Sequence, residues 1–507
     1  MAYPLRLFLT GRERIIASSD RYPSLRFPAT QRITSRTAPK ASDSIAVSNS
    51  ARSFKAPSAT YPLQPATINP MHRNEYRQRR KRLLGMMPEN SIAILPTSPA
   101  HPRNRDVEFP FRPESTFHYL TGFDEPEAVA VMIPDREEGE FLMFCRDRDA
   151  HAERWDGQRL GLKGVRRRHG VEQSFDIESI DRHLPDLIDG RSCIFYTIGN
   201  HPALDRRMIE WISALRIRSR MQPPADIVPV DRLVDEMRLR KSETEMDAMR
   251  EAARISARAH ERAMRICRPG MNECEIEAEL MHEFMRSGCR SPAYPSIVAG
   301  GANACVLHYV SNDCVLEDGG LLLIDAGAEY RYYAADITRT FPVNGKFSPT
   351  QRDLYALVLA AQEAAIAAVA PKNTLEDVHQ AAVETLVDGL TGMGLIKGRR
   401  NDILKNHRYA RFYMHRTGHW LGMDVHDVGD YRVKGEWRGL APGMVTTVEP
   451  GLYFAPDERN IPDELRGIGI RIEDDVLVNE DGGEVLTAAA AKSIEEIEAI
   501  TGTGSAS

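Results

Sequence analysis

Five side chains of the types that bind divalent metal ions lie in or beside apolar runs of this sequence. An unpaired charge in an apolar setting is costly, because burial removes the water that would stabilise it. Four buried carboxylates can share one pocket only if strong positive charge neutralises them. The chain must therefore fold so that distant segments meet around cations. The residues are Asp325 in LLLIDAG, Asp336 in YYAADITRTF, His419 in MHRTGHWLG, Glu449 in TVEPGLY and Glu473 in GIRIEDD.

The donor set indicates which cations would balance it. Oxygen-rich ligation with a single imidazole is typical of hard or borderline divalent ions such as Mn²⁺. Two such ions match the charge of four carboxylates, and paired ions are common in hydrolases. Between Asp325 and Asp336, Gly327 and Tyr330 favour a hairpin that brings both carboxylates to one metal pair. The sequence predicts a two-metal hydrolase, although a helix cap or a surface charge is the alternative for each acid taken singly.

Length and composition limit the other possibilities. At 507 residues the chain is too long for one ordinary core, and two domains plus a tail are expected. The net charge of −6 argues against a nucleic-acid partner, and no apolar run reaches the roughly 18 residues that a membrane span needs. Seven cysteines without a CxxC pair favour a reducing compartment over a disulfide framework. We therefore expect a cytoplasmic protein with no nucleic-acid or membrane partner.

The first 69 residues differ from the rest in composition. They contain ten Lys or Arg and three acidic residues, with many Ser, Ala, Thr and Pro. Because such a segment cannot bury enough apolar surface to fold alone, residues 1–69 are expected to form a disordered basic extension. One explanation for this segment, which we favour, is an untranslated leader that is included because the start codon was assigned too early. The other is a transit peptide that directs the protein to the mitochondrial matrix.

The remaining chain divides into two predicted domains and a short tail. Residues 70–238 alternate apolar runs with helical stretches, which predicts an α/β domain whose strands include SIAILP, AVAVMIP, GEFLMFC and SCIFYTIG. Ser242 and Glu245 form a capping-box pattern before a long helix, near the start of the second domain at 239–500. That domain carries all five ligand-type residues, with a helix predicted at 349–370. Residues 501–507 are expected to be a disordered tail.

Several long stretches carry a family resemblance that covers most of residues 243–500. They resemble the pita-bread metallopeptidases of family M24, with the best match to bacterial-type aminopeptidase P, and FPFRPESTFHYLTGFDEPEAVAVM resembles the amino-terminal domain of the same enzymes. The resemblance implies an α/β amino-terminal domain of the creatinase/aminopeptidase P type, followed by an α+β pita-bread catalytic domain. The catalytic stretches are YPSIVAGGANACVLHYVSND, LLLIDAGAEYRYYAADITRTFPVNGKFSPTQRDLY, MHRTGHWLGMDVHDVGDY and VEPGLYFAPDERNIPDELRGIGIRIEDDVLV.

The resemblance also implies a role for each ligand-type residue. Asp325 chelates one ion and Asp336 and Glu473 bridge both. His419 and Glu449 complete the second. Two divalent ions per chain, expected to be Mn²⁺, would form the only cofactor. The expected nucleophile is a hydroxide between the two ions, with Glu449 carrying a proton to the departing proline nitrogen.

Other residues match positions around the substrate in this family. The resemblance implies that His415 and His426 contact the substrate carbonyl and stabilise the oxyanion, while His308 lines the cleft. Arg471 lies two residues before Glu473, so it is expected to orient that carboxylate and lower its pKa. A similar supporting role is expected for Tyr453, close to the metals. The alternatives are an ordinary structural histidine or simple packing.

The implied substrates are peptides with proline in the second position. Proline lacks an amide N–H and restricts φ, so an enzyme cannot recognise it through the backbone hydrogen bonds that usually bind an extended peptide. The alternatives are a prolidase, which cleaves only Xaa-Pro dipeptides, and a metal-free pita-bread binding protein. The resemblance further implies a homo-oligomer, either a tetramer or a dimer. His118 stands where these enzymes commonly have a tryptophan that reaches a neighbouring subunit, which leaves the inter-subunit contacts to substrate open.

Overall fold

The described part of the chain comprises residues 73–218 and 220–504 of a computed structural model. The expectation of a disordered extension at residues 1–69 lies outside these ranges. All seven cysteines lie within them as free thiols. None of the helices described is long and apolar enough to cross a bilayer.

The first part of the chain is built on a six-stranded mixed sheet. The strands in this part of the chain, six in the sheet and two in a separate hairpin, are β1 (Ser91–Pro96), β2 (Pro102–Asn104), β3 (Val107–Glu108), β4 (Val129–Met132), β5 (Phe141–Cys145), β6 (Gln173–Asp176), β7 (Cys193–Phe195) and β8 (Asp226–Val228). Its helices are α1 (Arg73–Met86), α2 (Ser115–Thr121), α3 (Glu153–Asp156), α4 (Gly161–His169), α5 (Ile180–Ile188), α6 (Pro202–Ile217) and α7 (Asp231–Leu239). The sheet order is β6-β5-β4-β1-β7-β8, and β2 and β3 form a separate hairpin.

Apolar residues cover both faces of this sheet. Alternate residues of β1 point in opposite directions, so that Ile92 and Ile94 join one core cluster while Ala93 and Leu95 join another. Strands that are buried on both faces read as continuous apolar runs. This explains why the four runs singled out in the sequence correspond to β1, β4, β5 and β7.

The second part combines two helix pairs with short antiparallel sheets. Its helices are α8 (Glu243–Ile266), α9 (Glu273–Arg286), α10 (Pro349–Ala367), α11 (Leu375–Gly392), α12 (Arg400–Lys405) and α13 (Ile494–Ile500). Its strands are β9 (Ile297–Gly300), β10 (Leu321–Asp325), β11 (Glu329–Tyr330), β12 (Tyr333–Ala334), β13 (Thr338–Pro342), β14 (Arg432–Val433), β15 (Glu436–Trp437), β16 (Val445–Val448), β17 (Gly451–Phe454), β18 (Ile468–Arg471), β19 (Asp474–Val478) and β20 (Gly483–Val485). The sheet orders are β13-β10-β9 and β16-β19-β20, with pairs β17-β18, β11-β12 and β14-β15.

Local signals set several ends of these elements. The capping box is present at the start of α8, where Ser242 accepts from the Glu245 amide and the Glu245 carboxylate accepts from the Ser242 amide. The helix predicted at 349–370 is α10. Residues 501–504, which were expected to belong to a disordered tail, are ordered in the structure. The amides of Gly502 and Gly504 donate to carbonyls at the end of α8, and this pairing orders the segment.

Candidate metal centre

Two neighbouring strands carry Asp325 and Asp336 to one end of a sheet. Asp325 ends β10 and lies opposite Thr338 of the antiparallel β13, two residues after Asp336. The intervening chain forms the short hairpin β11–β12, as the spacing predicts. A side chain at Gly327 would place its Cβ 1.7 Å from the carbonyl oxygen of Ala335, so this close crossing requires glycine.

A second group of strands positions the other three residues. Glu449 directly follows β16, and Glu473 directly precedes β19. Since these strands are antiparallel and pair Val448 with Asp474, both carboxylates lie at the same end. His419 lies beside β16, where its amide donates to the Thr447 hydroxyl at 3.1 Å. These backbone pairings place a histidine and two acids together although 54 positions separate His419 from Glu473.

The structure brings all five predicted residues into one cluster, in which three acids are buried and His419 and Glu449 are partly buried. Donor atoms of Asp336, His419 and Glu473 all lie within 4.8 Å of one another. Nε2 of His419 is 3.6 Å from an Asp336 oxygen and 3.7 Å from a Glu449 oxygen. Asp325, Asp336 and Glu473 are each at most 9% exposed. Oxygen donors with one imidazole therefore converge in a largely buried site.

Mutual repulsion and burial dominate the electrostatics of this cluster. Burial, reinforced by Asp336, Glu449 and Asp325, raises the pKa of Glu473 well above its usual range. Burial likewise raises the pKa of Glu449 to about 7. Burial lowers the pKa of His419, but the Asp336 and Glu449 carboxylates outweigh it and raise that pKa to about 9. Divalent cations would relieve this repulsion and keep the acids ionised, so the residues present fit a divalent-metal centre.

Two supporting residues were not singled out from the sequence. The Tyr294 hydroxyl contacts Asp325 Oδ1 at 2.6 Å and Asp336 Oδ1 at 2.5 Å, linking the two acids. The buried carboxylate of Asp475 accepts from the Asp336 amide at 3.1 Å, and burial next to Asp336 raises the pKa of Asp475 well above its usual value. The adjacent acids in RIEDD are the only local signal for Asp475. Tyr294 in AYPS reads as an ordinary packed aromatic residue.

Arg471 supports a different carboxylate from the one expected. Its Nη2 donates to Asp325 Oδ2 at 2.5 Å instead of to Glu473. It reaches Glu473 indirectly, because Nε donates to the Thr338 hydroxyl, which donates to Glu473 Oε2 at 2.6 Å. Arg471 also does not bring the pKa of Glu473 below its usual value, since burial and three neighbouring acids raise it. The reason is that Glu473 lies in the break between β18 and β19, where strict alternation along a strand fails.

The predicted histidines and Tyr453 lie beside the acid cluster. The Tyr453 hydroxyl contacts His415 Nε2 at 2.9 Å and accepts from Arg471 Nη1 at 3.1 Å. Burial and Arg471 lower the pKa of His415 to about 4, with a smaller contribution from His308. The His426 ring packs edge-on against His419, with centroids 4.3 Å apart. Burial and His419 lower the pKa of His426, to which His308 also contributes. The lowered pKa values favour the neutral form of His415 and His426, in which one ring nitrogen carries an N–H.

Another buried acid holds the segment that carries His308. Glu273, at the start of α9, accepts from the amides of Gly300 and Cys314 and from the hydroxyl of Tyr309 at 2.8 Å. Asp313 and Cys314 lie close enough to Glu273 to suggest a second metal group. The oxygens of Glu273 are already engaged by these donors, so we interpret the contact as structural.

His118 points into its own chain. Its ring is 7% exposed and packs 4.2 Å from the Tyr332 ring, centroid to centroid. Nδ1 lies 3.3 Å from the carbonyl oxygen of Phe123. Burial lowers the pKa of His118 to about 3, which keeps it neutral. Any contact with a neighbouring subunit stays a prediction.

Comparisons with known proteins agree with this architecture. Residues 247–480 match the profile of metallopeptidase family M24, and residues 76–196 match the aminopeptidase P amino-terminal domain. The Xaa-Pro aminopeptidase of Escherichia coli is 43% identical over 85% of this chain and 98% of its own length. The solved structure of Pseudomonas aeruginosa aminopeptidase PepP is 52% identical with a TM-score of 0.84, covering 85% of this chain and 98% of that one. Zinc-substituted Escherichia coli aminopeptidase P in complex with product covers the same shares at 43% identity and a TM-score of 0.82.

Proposed function

This chain belongs to metallopeptidase family M24, with the aminopeptidase P amino-terminal domain, and from this premise we propose that it removes the first residue from peptides with proline in second position. It is a metallopeptidase with an α/β domain followed by a pita-bread catalytic domain. The convergence of Asp325, Asp336, His419, Glu449 and Glu473 in one largely buried cluster carries the proposal.

The ligand residues divide the work of holding two divalent ions. Asp325 would chelate one ion, His419 and Glu449 the other, and Asp336 and Glu473 would bridge both. The one-imidazole, oxygen-rich donor set supports Mn²⁺ as the native metal. When bound, such ions supply Lewis acidity and make hydroxide available as a nucleophile near neutral pH.

The remaining chemistry falls to side chains of this chain. Glu449, with a pKa raised to about 7 in this cluster, is suited to take a proton from water and deliver it to the departing proline nitrogen. Neutral His426 donates an N–H to the oxyanion that develops at the scissile carbonyl. His308 and His415 line the cleft that takes the proline ring. Arg471 and Tyr453 hold Asp325 and His415 in place through the contacts described above.

We also propose the wider setting of the enzyme. The amino-terminal domain is assigned to 70–238 and the catalytic domain to 239–500, in keeping with the two profile matches. A homo-oligomer, tetramer or dimer, remains our proposal. A cytoplasmic location is supported by the bacterial sources of the relatives reported above. The mitochondrial alternative concerns residues 1–69 and draws no support from these comparisons.

One assay series tests the proposed reaction. The purified protein is loaded with Mn²⁺, its metal content is measured, and three substrates are compared: an Xaa-Pro dipeptide, an Xaa-Pro-Yaa tripeptide and an Xaa-Ala-Yaa control. We expect about two ions per chain, with release of the first residue from the proline tripeptide and little turnover of the alanine control. Turnover confined to the dipeptide would instead identify a prolidase. A fully loaded protein that cleaves none of them would refute the proposed function.

A further inference from the structure

The segment that carries His426 is held in place by charges outside the metal cluster. Residues 421–428 form a tight turn in which the Asp427 amide donates to the Trp420 carbonyl at 2.9 Å. A Cβ at Gly422 would lie 2.0 Å from Asp427 Oδ2, so the turn closes directly around this carboxylate. In the part of the chain that the structure describes, the His426 imidazole makes no side-chain hydrogen bond, and its place is set by this turn and by edge-on packing against His419.

Asp427, the next residue, is bound by two buried cations. Nη2 of Arg238 donates to Asp427 Oδ1 at 2.6 Å, and Nζ of Lys241 donates to Asp427 Oδ2 at 3.0 Å. All three side chains are at most 2% exposed. Burial alone would raise the pKa of Asp427, but Lys241 and Arg238 lower it below its usual value. A buried charge pair of this kind fixes geometry strongly, because either partner left alone is costly.

Further bonds to the same turn come from the amino-terminal domain. Arg238, at the end of that domain, also donates to Asp424 at 2.7 Å and to the Thr116 hydroxyl at 3.1 Å. The Ser115 hydroxyl donates to Asp424 Oδ1 at 2.5 Å, and Arg112 donates to the Met423 carbonyl at 2.7 Å. The amino-terminal domain contributes none of the proposed metal ligands, yet Arg112, Ser115 and Arg238 all donate hydrogen bonds to this one turn.

We propose that Arg238, at the end of the amino-terminal domain, positions His426 for catalysis together with Lys241 of the catalytic domain, through a clamp in which both side chains bind Asp427. This inference rests on the role proposed for His426 above. Asp427, Arg238 and Lys241 are positioning residues, because they act on the reaction only through the turn that presents the imidazole. Through Arg238, the clamp gives the amino-terminal domain an indirect part in the reaction.

The test combines substitutions in a double-mutant cycle on Mn²⁺-loaded enzyme with an Xaa-Pro-Yaa peptide. In Asp427→Asn we expect kcat to fall about tenfold or more with KM nearly unchanged, since loss of one oxyanion donor costs roughly 10²–10³-fold in kcat. Metal content should be unchanged. In a His426→Ala background the same substitution should cost little more, because two changes that act on one group are not additive. Arg238→Lys, which keeps the charge but loses the forked donor, should show the same pattern if Asp427→Asn folds poorly.

Glu245→Gln is the matched control. Glu245 is also buried, at 2% exposure, and pairs with Arg79 at 3.3 Å without contacting the His426 turn. It should lower the melting temperature while leaving kcat intact. The proposal would be overturned if the clamp variants kept full kcat like this control, or if their losses of kcat added fully to the loss in His426→Ala. Full activity of His426→Ala itself would also overturn it.

If the parent enzyme failed to cleave Xaa-Pro peptides, the proposed function would fall. The clamp would then be judged by crystal structures, which should show residues 421–428 displaced in Arg238→Lys and in place in the parent.

Discussion

Removal of the metal should make stability depend on pH in an unusual direction. A group whose pKa is higher in the folded protein than in the unfolded chain binds its proton more tightly when folded. The pKa of Glu449 rises from an ordinary 4.5 to about 7 through burial. Its contribution to stability is therefore fully present below pH 4.5 and lost as the pH rises through 7. His419, raised from 6.5 to about 9 by Asp336 and Glu449 against the effect of burial, continues the loss from pH 6.5 to 9.

The size of the effect follows from these shifts. A difference of roughly 2.5 pKa units for Glu449 corresponds to about 3 kcal/mol of unfolding free energy. His419 gives a similar figure, but the two are not added because each shift depends on the charge of the other group. For a domain of this size, 3 kcal/mol amounts to about 6–12 °C in melting temperature. Bound divalent ions hold the carboxylates ionised, so the loaded protein should not show this decline.

Differential scanning calorimetry between pH 5 and 9 measures the effect on metal-stripped and Mn²⁺-loaded protein. Glu449→Gln supplies the matched control, since it keeps the shape but removes the titrating carboxyl, and its stripped form should have a flatter profile. A stripped parent protein that melts no lower at pH 9 than at pH 5, with Glu449→Gln behaving identically, would refute this account of the site.

Three further predictions concern single side chains of the site. Glu449→Gln should retain its fold by circular dichroism while kcat falls at least about 10²-fold, the usual contribution of a proton-transfer group; near-normal kcat at full metal loading would contradict its role. Tyr294→Phe removes the hydroxyl that links Asp325 and Asp336 and should weaken metal binding by about 10–100-fold in a calorimetric titration, so unchanged affinity would count against it. Gly418→Ala places a Cβ 2.0 Å from the Thr447 carbonyl oxygen and should cost about 1–3 kcal/mol of stability. Metal binding should also be lost as His419 is displaced, and unaltered melting and metal content would be the contrary result.

The sequence revealed those residues whose chemistry conflicts with their surroundings. Asp325, Asp336, Glu449 and Glu473 stand out because a carboxylate at the end of an apolar strand needs a cation. The capping box at Ser242 was equally visible, since both of its partners lie within four residues.

Contacts between distant segments could not be read in the same way. The partner of Arg471 is Asp325, 146 positions away, and it depends on how several short sheets meet. Sequence spacing suggested Glu473 instead, because it assumes one continuous strand where the chain in fact breaks between β18 and β19. Tyr294 escaped notice for a related reason. Its body packs like any aromatic residue, and only the fold reveals that its hydroxyl meets two acids 31 and 42 positions on.

The wide spacing of the ligands also has a consequence for synthesis of the protein. Tyr294 links Asp325 to Asp336, but the cluster is complete only when Arg471 and Glu473 are added, near the end of the chain. Contacts between such distant residues form late, because the ends of a long loop must first be brought together. A chain whose translation has not yet reached these residues thus has some of the carboxylates but no complete catalytic centre. The peptidase cannot act on neighbouring nascent peptides until its own translation has passed residue 473.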